Sequence, residues 1–213
     1  MRIALIHALA HSVAPINEEL ERRWPEAVRM NLLDDSLSAD LARNGAGLDA
    51  TMHQRFEDLT AYAERTGAKA ILFTCSAFGP CIEAAAARRP HMPVLKPNEA
   101  MVADAVAHGG RVGLIASFGP TLESMPPEFP PGTELATRLA DGALEALNQG
   151  DTERHDALVI EAAQWLARQG CDVIALAQFS MARAQMAVHR AVDLPVLTTP
   201  GSAVRLLRHR LGA

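Results

Sequence analysis

The chain reads as two copies of one unit. RIALIHALAHS (2–12) is similar to RVGLIASFGPT (111–121), with Ile3 aligned on Val112 at an offset of 109. LLDDSLSADL (32–41) is similar to RLADGALEAL (138–147), with Asp35 on Asp141 at an offset of 106. TGAKAILFTCSAF (66–78) is similar to QGCDVIALAQFSM (169–181), with Gly67 on Gly170 at an offset of 103. MPVLKPNEAMV (92–102) is similar to LPVLTTPGSAV (194–204), with Pro93 on Pro195 at an offset of 102. The matches keep one order and their offset drifts in one direction, as copies of a structural unit do and chance similarities do not.

Each copy alternates short apolar runs with longer stretches of helical pattern. In the first, strands are expected at about Arg2–His7, Ala27–Leu32, Ala70–Thr74 and Val94–Lys96, with the longest helix running from about Ser38 to Thr66. In the second they are expected at about Val112–Ala116, Glu134–Arg138, Val173–Ala177 and Val196–Thr198. Strands spaced by helices make βα units, and hence a parallel sheet with right-handed crossovers. Continuous apolar strands imply helices on both faces. The expectation is an α/β fold of two pseudo-symmetric parallel-sheet halves, with the site in the cleft between them. The first half would be 1–97, with a C-terminal helix at 200–213 packing back on it, and the second 98–199.

Composition removes several classes of function. With a formal charge of −5, the 213-residue chain offers no basic face to nucleic acid. No apolar run approaches the ~20 residues of a membrane span. The opening MRIALIHALAHSVAP lacks a separate basic region and a long apolar core, so it reads as a first strand and not a signal peptide. Three cysteines fit a reducing compartment, which makes a cytoplasmic location the expectation. They also lack the paired spacing of a zinc site, so no metal is expected. No phosphate-binding glycine motif follows a strand, and no lysine stands where a pyridoxal Schiff base would need one. The reading is free of cofactors. Assembly into a homo-oligomer stays open.

Chemistry concentrates where strands run into loops, which in such sheets is where ligands bind. Cys75 stands between the strand ending in Phe73 and a helix with Pro80 in its first turn. Helix N–H groups lower a thiol's pKa there, so Cys75 is the candidate reactive thiol. A small residue that simply packs well is the competing explanation. Cys81 and Cys171 read as structural. His11 could act as acid or base beside Ser12 just past the first strand, whereas His7 ends that strand and reads as buried. Thr74, Ser76, Ser117, Thr121 and Ser180 offer hydroxyl donors to a ligand, and Phe118 lies among them. Lys96 and Arg183 are the nearest cations. Asp35 reads as a helix cap.

On these residues the chain resembles the aspartate/glutamate racemase superfamily, which includes hydantoin racemases, maleate isomerases and arylmalonate decarboxylases. The resemblance covers nearly the whole length. It rests on the two similar halves, the Thr74-Cys75-Ser76 run after a third strand, and PVLKPNEAM at 93–101. It implies two cysteines, one from each half, that shuttle a proton at the carbon beside a carboxylate or carbonyl. Cys75 matches the first, while the repeat puts Gln178 where the second would be. The implied activity is a cofactor-independent racemase or isomerase of a small carboxylate or carbonyl compound. His11, or a water held by Gln178, would then complete proton delivery. A one-thiol decarboxylase, a maleate-type cis–trans isomerase and a non-catalytic small-acid binder are the alternatives.

Overall fold

The computed structural model describes residues 1–44 and 47–213 and divides into two compact units, Met1–Pro97 with Ala203–Ala213, and Asn98–Ser202. In the first unit, β1 (Arg2–His7), β2 (Val28–Leu33), β3 (Ala70–Phe73) and β4 (Val94–Leu95) form a parallel sheet in the order β2-β1-β3-β4. Its helices are α1 (Val13–Arg23), α2 (Ser36–Asn44), α3 (Ala50–Arg65) and α4 (Gly79–Ala87). In the second unit come α5 (Glu99–His108), β5 (Val112–Ala116), α6 (Gly119–Ser124), β6 (Leu135–Leu139), α7 (Ala143–Asn148) and α8 (Thr152–Arg168). They are followed by β7 (Val173–Leu176), α9 (Gln185–Val192), β8 (Val196–Thr198) and α10 (Thr199–Leu211). The second sheet is also parallel, in the equivalent order β6-β5-β7-β8. The last turns of α10 belong to the first unit, where Arg208 Nη1 donates to the Arg23 carbonyl at 2.8 Å.

Burial follows position in the sheet. Central β3, β5 and β7 are buried throughout, as is β1 apart from Arg2, because helices cover both faces. Edge strands β2 and β6 are only partly covered. Under the first sheet Phe56 stacks on Phe73 at 5.2 Å between ring centroids and meets Phe78 at 4.9 Å. In the second unit the equivalent space is closed partly by Gly113 on β5. A Cβ there would come within 3.2 Å of both Leu166 on α8 and the Cys171 sulfur. The side chain of Cys171 therefore packs between strand and helix. Among the described residues no helix is long and apolar enough to cross a membrane.

Two local expectations change. The single helix expected over Ser38–Thr66 is two, α2 and α3, with residues 45 and 46 outside the described residues. Gly47 takes a left-handed φ of 65°, and Asp49 Oδ1 accepts from Met52 N–H at 2.8 Å, capping α3. The apolar periodicity carries across this break, which hid it. At the start of α2, the aspartate making the turn is Asp34 and not Asp35. Its Oδ1 accepts from the Ser36 N–H at 3.2 Å and the Ser36 hydroxyl at 2.5 Å. Arg55 on α3 donates to Asp34 at 2.7 Å and to Asp40 at 2.8 Å, tying the two helices together. Burial works against the Asp34 charge, yet the bonds from Ser36 and Arg55 hold its carboxyl below the usual range.

Candidate functional site

A strand order of 2-1-3-4 reverses direction between its first and third strands, and ligands bind at the carboxyl ends of the strands at that reversal. In the first unit those ends are His7–Ala8 and Thr74–Cys75. In the second they are Ala116–Ser117 and Ala177–Gln178.

Cys75 is half-buried in extended backbone, φ −122° and ψ 122°, and precedes a 3-10 turn at Ser76–Phe78 that leads into α4. Burial pushes the thiol up, while hydrogen bonding from the Ala77 N–H and the Ser38 hydroxyl favours the thiolate and pulls the other way. The balance is upward, so Cys75 rests as a thiol with thiolate-stabilising donors beside it. Ser38, on the first turn of α2, also reaches the Ala8 carbonyl at 3.0 Å. Ser38 was not a sequence candidate, because the long-helix reading gave no reason to bring it to the end of β3. Cys81 differs from Cys75. It is buried, and burial with the nearby Asp49 charge pushes it up to about 11.

Behind Cys75 lies a polar seam across the strand ends. His7 is fully buried at the end of β1. Its Nδ1 is 2.8 Å from Thr74 Oγ1 and its Nε2 is 3.0 Å from Asn31 Oδ1 on β2. Burial pushes the imidazole below its ordinary value, and the bond to Asn31 acts against that shift. His11 and Ser12 occupy a 3-10 turn at Ala10–Ser12, His11 half-buried and Ser12 buried. Ser76 is half-buried on the turn after Cys75.

In the second unit, the Gln178 Oε1 accepts from the Ser117 N–H at 2.6 Å and the Ser117 hydroxyl at 3.0 Å. The structure thus joins two sequence candidates, and it spends the Ser117 proton on Gln178. Anchored by its oxygen, Gln178 presents its NH2 away from Ser117. Phe118 is exposed at the N-cap of α6, while Thr121 on α6 and Ser180 in the Phe179–Ala184 turn are buried. The two candidate cations are engaged in ion pairs, Lys96 with Glu83 at 2.7 Å and Arg183 with Asp156 at 3.0 Å. Asn98, at the N-cap of α5, is 1% exposed, and neither amide atom has a hydrogen-bond partner among the described residues. The sequence signal for it was its place before a helix. Burial is what singles it out, since an unpaired buried amide costs about 1–3 kcal/mol.

The profile for Asp/Glu/hydantoin racemases matches residues 9–207. By sequence the chain has no match among curated proteins. Among solved structures it is similar to allantoin racemase from Pseudomonas fluorescens, with a TM-score of 0.73 and 16% identity over 100% of this chain and 92% of that one. It is similar to aspartate racemase from Picrophilus torridus, with a TM-score of 0.72 and 14% identity over 99% of this chain and 94% of that one. Glutamate racemase from Thermus thermophilus gives a TM-score of 0.73 and 18% identity over 99% of this chain and 80% of that one. At such identities the structural likeness establishes the shared fold.

Proposed function

Because this chain belongs to the Asp/Glu/hydantoin racemase family, we propose that it is a cofactor-independent racemase or isomerase. It acts at the carbon beside the carboxylate or carbonyl of a small acid, with Cys75 as the reactive thiol. The observation that carries this reading is the setting of Cys75. It sits at the reversal of the strand order, and the Ala77 N–H beside its sulfur favours negative charge there.

A resting thiol is a proton donor. It protonates one face of an enolate-like intermediate, and the resulting thiolate takes a proton back in the reverse direction. Gln178 is assigned an orienting role through its NH2, since an amide does not exchange protons at neutral pH. His11, Ser12, Ser76, Phe118, Thr121 and Ser180 are assigned to substrate contact. One observation favours a second reading. A protonated thiol in one unit and an amide at the matching position of the other suit one-sided proton delivery, as in a decarboxylase of the arylmalonate type.

The test follows α-proton exchange in D₂O by NMR, using aspartate, glutamate and allantoin as probes, with phenylmalonate for carbon dioxide release. Exchange by the wild type and its loss in Cys75→Ala and Cys75→Ser support the proposal. Exchange that survives in Cys75→Ala removes the thiol from the mechanism. Saturable binding with no turnover of any probe would make the protein a small-acid binder.

A further inference from the structure

Cys75 and the strand end beside it compete for one hydroxyl proton. Ser38, in the first turn of α2, donates to the Ala8 carbonyl at 3.0 Å. A carbonyl only accepts, so the single hydroxyl proton is engaged there. The same hydroxyl hydrogen-bonds the Cys75 sulfur. With its proton on Ala8, Ser38 Oγ faces the sulfur through its lone pairs, and the bond between them is an S–H donation from the resting thiol. The Ala77 N–H meets the sulfur as a second donor. A backbone N–H is fixed in direction, whereas a serine hydroxyl swings about one bond. The turn that carries Ser38 is itself held. Arg55 donates to Asp34 at 2.7 Å on one side of it in sequence and to Asp40 at 2.8 Å on the other.

We infer that Ser38 is a positioning residue for Cys75, a hydroxyl that accepts from the thiol and turns to donate to the thiolate. When the S–H proton leaves, its bonding pair stays on sulfur, and the Ser38 O–H rotates from the Ala8 carbonyl to the new charge. No proton passes between Ser38 and Cys75. When sulfur regains a proton, the hydroxyl returns to Ala8. A hydroxyl fixed as donor would favour only the thiolate, and one fixed as acceptor only the thiol. A rotating one serves proton transfer in both directions. The repeat sets Leu144 against Ser38 and Gln178 against Cys75, so neither the ionising group nor the rotating hydroxyl recurs in the second unit. The consequence for turnover rests on the reading of Cys75 as the reactive thiol, while the exchange of hydrogen bonds does not.

The test is the ionisation of Cys75, followed as the rate of its alkylation by iodoacetamide across the alkaline range. Mass spectrometry separates Cys75 from the buried Cys81 and Cys171. In Ser38→Ala the midpoint of the profile is expected to rise by about one pH unit, a roughly tenfold loss of thiolate, because a bond to a charged acceptor is lost. Ser38→Thr, which keeps the hydroxyl, is expected to restore the midpoint. The titratable groups on the surrounding elements are His7 and His11 at the end of β1, Asp34 and Asp40 around Ser38, and Cys81 and Glu83 on α4. All are retained in both variants, so the difference between the two reports the hydroxyl. A midpoint that stays or falls in Ser38→Ala overturns the proposal, since removing a group that only accepts from the thiol favours the thiolate. Equal midpoints in Ser38→Ala and Ser38→Thr overturn it too.

Should Ser38→Ala fail to fold, Raman spectroscopy of the wild type decides. The Cys75 S–H band is the component lost in Cys75→Ala, and it is expected at the lowered frequency of a hydrogen-bond donor. A band at the frequency of a free thiol overturns the proposal. Exchange of α-protons keeps this inference apart from the proposed function. A raised midpoint in Ser38→Ala, with no exchange of any probe by the wild type, would keep the rotating hydroxyl and remove the reaction. Exchange that depends on Cys75, with an unmoved midpoint in Ser38→Ala, would do the reverse.

Discussion

The two sheets share strand order, direction and register, yet differ at the carboxyl ends of their central strands. In the first unit those ends carry His7, Thr74 and, across β2, Asn31, joined by hydrogen bonds of 2.8 and 3.0 Å. At the aligned positions of the second unit stand Ala116, Ala177 and Thr137, and the two alanines are buried. One residue further on, Cys75 is matched by Gln178. The cores beneath diverge in the same way. Phe56 and the Phe73 and Phe78 rings it packs against are matched by Val159, Leu176 and Met181, all fully buried. The βα framework tolerates either filling, because it asks only for buried apolar volume in the right period. The polar groups proposed for proton chemistry are divided unequally between the two units.

The sharpest break of this comparison is functional. Cys75→Ala is expected to lower α-proton exchange by roughly 10³-fold, within the range for a positioned acid or base. Gln178→Ala is expected to lower it roughly tenfold, the loss of one orienting hydrogen bond. The reverse exchange, Gln178→Cys, should add two-way racemization of a substrate already bound. Equal losses in the two alanine variants, measured by NMR in D₂O, would erase the division of roles.

The cores come next. Phe56→Ala removes the ring that contacts both other phenylalanines, and about 3–5 kcal/mol of unfolding free energy should go with it. Val159→Ala, at the matching place, should cost about 1.5–2 kcal/mol for its two methyl groups. Denaturant midpoints for the two variants measure the difference directly.

What the sequence showed and what it hid divide along the range of the interactions. The repeat, the eight strands and their parallel pairing were legible because apolar period and order are local signals that burial only reinforces. Strand limits moved by a residue or so, as with β2, which ends at Leu33. The break between α2 and α3 was missed because apolar positions recur on both sides of it, while Gly47 and Asp49 mark it only locally. Cys75 stood out from its strand-loop-helix setting. Ser38, Asn31 and Asn17 did not, since each reaches the strand ends through a contact between distant segments. The pairing of Ser117 with Gln178 spans 61 positions and has no sequence signature at all. The Ser117 hydroxyl donates to Gln178 within the protein, which depends on partner and angle and not on residue type.

The two strand-end hydroxyls offer a smaller contrast. Thr74→Val keeps the shape but strands the His7 Nδ1 as a buried acceptor, at a cost of about 1–3 kcal/mol. Ser117→Ala leaves Gln178 Oε1 with the Ser117 N–H, so it should cost only about 0.5–1 kcal/mol. Thermal unfolding of the pair would rank them, and a larger loss in Ser117→Ala would reverse the view of which seam is the tighter.

The smallest effect is a slope. His7 is pushed below its ordinary value of 6.5, chiefly by burial, so just below pH 6.5 the unfolded chain binds a proton that the folded chain refuses. Stability from this residue is therefore present above pH 6.5 and is lost as pH falls from there toward the folded value. A single proton limits the slope to about 1.4 kcal/mol per pH unit. Asp34 and Glu57, whose folded values are lowered, lose their contributions only as pH drops through the ordinary carboxylate range, so the windows separate. Denaturation at pH 7.5, 6.5 and 5.5 should show the wild type weakening relative to His7→Gln across the last interval. Asn31→Asp should reverse the sign, since a carboxylate beside Nε2 raises the imidazole and makes protonation favour the folded state. At this position the second unit has Ala116, which does not titrate. A wild type that parallels His7→Gln from pH 7.5 to 5.5 would mean that His7 titrates alike folded and unfolded, and the contrast between the two strand ends would then lie in hydrogen bonding alone.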